Sequence, residues 1–132
     1  MSSYIQPSLF LRRVLLADAA TSAAVGALMA VASAPLQRLT GLPASLLFAA
    51  GLTLFPYAGY LIWIATRAQV PRLGVWAPIV LNVVWAADCA LLALGDFDPT
   101  AYGKAFLAVQ VVTVLAFAEL EFMGLRRAQP AR

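Results

Sequence analysis

The sequence predicts an all-α integral membrane protein, a single domain over residues 1–132 in which four transmembrane helices with short loops form one bundle. Three observations predict it. Of the 132 residues, 63% are hydrophobic and 11% charged, against about a quarter charged in a soluble domain. Four apolar stretches approach the roughly 20 residues a helix needs to cross a bilayer, and they leave no polar segment to form a water-facing surface. The basic residues gather at the ends of those stretches and form no stripe along a face.

The first span is expected over about 14–36, with Asp18, Thr21 and Ser22 near its start and Pro35, Gln37 and Arg38 breaking the apolar run. Arg12 and Arg13 followed by an apolar run ending in Ala32, Ser33 and Ala34 imitate a secretory or twin-arginine signal. Asp18 interrupts that run and Pro35 is a poor neighbour for cleavage, so a retained first helix is expected. A loop through Thr40, Gly41 and Pro43 leads to a second span over about 44–66, where Pro56 removes a hydrogen bond and predicts a kink. Arg67, Gln69, Pro71 and Arg72 read as a turn. The third span covers about 73–95, with Pro78 in its first turns. Asp96, Asp98 and Pro99 mark the last turn, and Thr100 or Asp98 can cap a fourth span over about 100–125 that Arg126 and Arg127 terminate.

Short loops rich in Lys and Arg stay in the cytoplasm. Arg12, Arg13, Arg67, Arg72, Arg126, Arg127 and Arg132 fall on one side and only Arg38 and Lys104 on the other, which predicts that both termini are cytoplasmic, N-in and C-in. Trp63, Trp76 and Tyr102 lie near span ends, as interfacial aromatics do, whereas Trp85 lies deeper.

Several function classes lose support. The chain has no His and one cysteine, Cys89, which removes the usual haem, zinc and general-base residues and any internal disulfide. No phosphate-binding loop, nucleophile elbow or dinucleotide fingerprint is present. The expectation is a protein that is not an enzyme, with no catalytic residue, cofactor or metal, whose partners are the lipid bilayer and a membrane protein or a second copy of itself. The scattered basic residues argue against nucleic acid.

Ionisable and amide groups inside spans are costly and each needs a partner, a cavity or a function. The candidates for a polar intramembrane site are Asp18, Asn82, Asp88, Gln110, Glu119 and Glu121. At a rise of about 1.5 Å per residue, Asp18 lies roughly 8 Å past Arg13 and Glu121 roughly 8 Å before Arg126, which places both in a cytoplasmic-side layer, while Asn82 and Gln110 lie near the midplane. Gln110 and Glu121, eleven residues apart, share a helix face, and Glu119 points away from it. The carboxylates read either as a protonatable or cation-binding pair or as ion pairs with Arg12, Arg13, Arg126 and Arg127, with Asn82 and Gln110 bonding across helices. On the first helix Ser22, Gly26, Ala30 and Ala34 follow a spacing of four small residues that suits close helix packing.

The stretch RRVLLAD from Arg12 to Asp18, the run Leu39–Thr40–Gly41–Leu42–Pro43, the run from Leu81 to Trp85, the pair Pro99–Thr100 and the segment AELEFMGLRR from Ala118 to Arg127 together resemble small four-helix inner-membrane proteins of proteobacteria grouped as hypothetical. The resemblance covers most of the chain. It implies the bundle and its location, and no mechanism. For function, the leading expectation is an accessory subunit or scaffold acting through helix contacts. The alternative is a minimal oligomeric carrier or channel for protons, cations or cationic amphiphiles that uses Asp18, Asp88 and Glu121. Lipid or isoprenoid binding between helices is a third possibility that the sequence does not separate from these.

Overall fold

The computed structural model describes residues 3–131; Arg132, counted above among the basic residues of one end, lies outside them. Four helices are long and apolar enough to cross a membrane: α1 (Leu9–Val31), α3 (Ala44–Ala65), α4 (Arg72–Leu94) and α5 (Ala101–Arg126), with a short α2 (Ser33–Thr40) after the first. The all-α four-helix bundle expected from the apolar pattern is present.

The first span departs from its expected bounds. It starts at Leu9, where Ser8 caps it by accepting a hydrogen bond from Leu11 N at 3.1 Å, and it runs straight through Arg12 and Arg13. It ends at Val31 because Pro35 has no N–H to return to the Val31 carbonyl. Ala32 leaves helical geometry at φ −104° and ψ 28°, and the chain restarts as α2. Ala34 therefore belongs to a different helix from Ser22, Gly26 and Ala30. The other three spans lie within one residue of their expected bounds, and α3 continues as one helix through Pro56.

The helices pack as two pairs. α1 lies along α3, and Gly26 and Gly51 make the approach possible: a Cβ on either glycine would stand 2.8 Å from the other's carbonyl oxygen. α4 lies along α5. The two pairs are tied together at their ends. At one end β1 (Tyr4–Gln6) forms the centre of a small antiparallel sheet, flanked by β2 (Val70–Pro71) and β3 (Gln129–Pro130), in the register Ile5↔Val70 and Ile5↔Pro130. Ile5 and Val70 are fully buried under it. The turn expected at 67–72 therefore contains a strand that holds the N-terminal segment. Beside the sheet, Gly124 of α5 packs on Leu11 of α1.

At the opposite end Gly41, left-handed at φ 78°, closes α2. Thr100 caps α5 by accepting from Gly103 N at 3.0 Å, and its backbone N–H and hydroxyl donate to the carbonyls of Thr40 and Leu39 at 2.9 and 2.6 Å. Of the two caps expected for α5, Thr100 is the one used. Two apolar cores result, one against the sheet, around Leu15, Leu61, Ile64 and Val75, and one near α2, around Met29, Leu42, Leu47 and Leu107.

Candidate functional site

Polar side chains from all four long helices converge where the sheet-side core gives way to the other. Asp18 of α1 is 1% exposed, Asn82 of α4 3% and Glu121 of α5 0%. The Asn82 amide nitrogen stands 3.0 Å from Asp18 Oδ2 and 3.0 Å from Glu121 Oε1, so one side chain donates to both carboxyl groups. Asp18 also receives the Tyr57 hydroxyl of α3 on Oδ2 at 2.9 Å and the Ser22 hydroxyl on Oδ1 at 3.1 Å. Glu121 Oε2 is buried without a hydrogen-bond partner among the described residues.

The geometry changes the expected depth of Asp18. Because α1 begins at Leu9, Asp18 lies nine residues into the helix, roughly 13 Å, and reaches the level of Asn82. It also replaces the expected arginine pairs. The hydrogen bonds to Asp18 come from hydroxyl and amide groups, while Arg12 donates to the Ala65 carbonyl at 2.6 Å, capping α3, and Arg126 lies over the Phe122 ring. Asn82 and Gln110 both bond across helices, but to different partners: Gln110 Oε1 accepts from Trp85 Nε1 at 2.8 Å. Glu119 is exposed on the outside of α5 and takes no part. The small residue Gly26 is buried inside the α1–α3 contact, whereas Ala34 is exposed on α2.

The pattern of the sequence did not single out Tyr57. Its signal was its place thirteen residues into an apolar helix, where a phenol hydroxyl has to find an acceptor because lipid supplies none. Ser22, which helical spacing places both in the small-residue strip and on the Asp18 face of α1, donates its hydroxyl to Asp18.

Beside this cluster the space between the pairs stays open. A cavity of about 420 Å³ begins at Asp18, Ser22, Tyr57 and Asn82 and runs past Trp85 to Asp88 and Gln110. Its remaining walls are mostly apolar, among them Val25, Leu54, Leu81, Val84, Phe106 and Phe117, and no Lys or Arg among the described residues lines it. Asp88 stands on an exposed part of α4 at the rim and accepts no hydrogen bond among the described residues. Such an arrangement can hold an apolar body of ligand size by its walls and a positive or hydrogen-bond-donating group by its carboxylates. No group of metal-ligand type is assembled among the described residues. Compared with known protein families, with curated proteins and with solved structures, the chain matches none.

Proposed function

We propose that the protein is a membrane-embedded carrier that takes up small cationic amphiphiles between its two helix pairs, with Asp18 and Asp88 facing the positive charge. The observation that carries this reading is the cavity itself: ligand-sized, apolar-walled, lined by two carboxylates and by no basic side chain. In a medium of low dielectric constant a carboxylate near an unfilled apolar space selects strongly for a cation, because the pair screens a charge that is otherwise costly to hold there. Asp18 supplies a fixed negative end, held by three side-chain donors. Asp88, without such donors, stands ready to accept from a ligand.

The leading expectation from the sequence, an accessory subunit or scaffold, draws on the small-residue strip of α1 as a docking face. Gly26, at the centre of that strip, is committed to Gly51 within the bundle, so the strip supports packing inside the chain. The placement in the membrane belongs to the same proposal. Arg12, Arg13, Arg67, Arg72, Arg126 and Arg127 all lie at the sheet end, with Arg38 and Lys104 at the other. Under the positive-inside rule the sheet end, with both termini, is cytoplasmic, and the inner membrane of a bacterial cell is the bilayer that fits.

The test uses two ions of matched shape and opposite charge. Tetraphenylphosphonium is expected to bind the purified protein and quench Trp85, which lines the cavity, while tetraphenylborate does not. Asp18→Asn and Asp88→Asn should each weaken phosphonium binding by about tenfold or more, a loss near 1.4 kcal/mol. Equal binding of both ions, or a phosphonium affinity untouched by either substitution, would sink the proposal.

A further inference from the structure

The open space does not end at Asp88. A second cavity of about 510 Å³ lies toward α2 and shares the walls Trp85, Asp88, Phe106 and Gln110 with the first. Resting on the binding reading above, we propose that this second cavity holds the hydrocarbon chain of the same ligand, so that the ligand class is a single-chain cationic amphiphile with its head between Asp18 and Asp88 and its chain directed toward α2.

Continuity is the first reason. The border between the two spaces is made of side chains common to both, among them Trp85 and Gln110, joined by a hydrogen bond of 2.8 Å. The walls are the second. Met29, Leu42, Leu46, Leu47 and Leu92 line the far space beside α2 and gain from apolar contact, and its one carboxylate besides Asp88 among the described residues is Asp96, past the end of α4. Length is the third. From the level of Asp18 to that of Met29, eleven residues on along α1, is roughly 16 Å, about half the 30 Å hydrocarbon thickness of a bilayer and so the depth one leaflet's chains fill.

The probe is dodecyltrimethylammonium carrying a photoreactive diazirine at the chain end, added to the full-length protein in phosphatidylcholine nanodiscs, with labelled residues read by mass spectrometry. Label is expected on Leu42, Leu46 and Leu47. It should fall about tenfold or more with excess tetraphenylphosphonium, and likewise in Asp18→Asn. A dodecanol probe with the same diazirine should label those positions weakly and without competition. If the cationic probe labels lipid-facing positions evenly while phosphonium still binds, the chain site is wrong and the binding reading stands. Should the dodecanol probe label Leu42 and Leu47 as strongly, the cavity is a slot for any lipid chain and the inference is overturned. A wild-type protein that binds no phosphonium and shows no competition removes both.

Discussion

The two halves of the space between the helix pairs treat their polar residues in opposite ways. On the sheet side, Asp18, Tyr57, Asn82 and Glu121 come from four different helices and meet in a buried cluster. On the α2 side, Trp85 and Gln110 form one isolated bond and Asp88 stands at a cavity rim with no donor among the described residues. The difference teaches what burying a carboxylate in this bundle requires. Asp18 can be held at the cavity wall with little exposure because three side chains donate to it, one from its own helix and two from others. Where neighbours supply no donors the walls stay apart. One end of the cavity is thus walled by a hydrogen-bonded scaffold that fixes Asp18, and the other is left open at Asp88.

The largest effect should come from removing the donor that two carboxyl groups share. Asn82→Leu keeps a similar volume and leaves Asp18 and Glu121 facing each other without it. Each of the two carboxyl groups loses a donor, and a buried polar group left unsatisfied costs about 1–3 kcal/mol. Unfolding by dodecyl sulfate in mixed micelles is expected to show that loss, and a change below about 1 kcal/mol would mean the sheet-side cluster is no scaffold.

Next comes the contact that gives the first helix pair its rigidity. Gly51→Ala sets a methyl group 2.8 Å from the Gly26 carbonyl oxygen and 2.9 Å from Met29 Cβ, an overpacking expected to cost about 2 kcal/mol. Gly59→Ala, on the same helix, meets nothing within 4 Å and should be neutral or stabilise by up to about 1 kcal/mol through helix propensity. The same micelle titration of both variants decides it, and equal midpoints would show that the two helices are not in close contact.

Much of this architecture was legible in the sequence, for a reason specific to membranes: an apolar run of spanning length has few alternatives to a helix. What the runs could not show was where helices end. Arg12 and Arg13 looked like a boundary, yet a helix does not stop at a charge whose long side chain can reach elsewhere, and Arg12 reaches the end of α3. The three-residue strand Tyr4–Gln6 is too short to carry a pattern and exists only because Val70 and Gln129 are brought beside it. In the site, Asp18, Asn82 and Glu121 stood out because burying such groups is costly. Their partnership with Tyr57, and that of Gln110 with Trp85, depends on how neighbouring helices are rotated and staggered, and no single helix carries that information.

A smaller effect should follow on the open side. Trp85→Phe keeps an aromatic wall and removes only the bond to Gln110, and interhelical hydrogen bonds in membranes are worth about 1 kcal/mol or less. A loss as large as that of Asn82→Leu would erase the contrast between the two halves, because it would make the Trp85–Gln110 pair as structural as the cluster.

The smallest expected effect sharpens the contrast most, because it holds residue type and helix constant. Glu119 and Glu121 are two residues apart on α5, one exposed on the outside of the bundle and the other completely buried. Substituting either by glutamine preserves shape and removes the capacity for charge. Glu119→Gln touches no partner in the interior, so its unfolding midpoint should stay within about 0.5 kcal/mol of the parent, as for surface substitutions generally. Glu121→Gln puts an amide of two further donors where Oε2 now has no partner and Asn82 already occupies Oε1, and the carboxyl of Asp18 is the acceptor within reach across the cluster. Its stability should therefore move by more than that of Glu119→Gln, in either direction. If the two variants unfold alike, the position of a carboxyl group relative to the helix pairs does not matter, and the distinction between scaffold and open cavity fails with it.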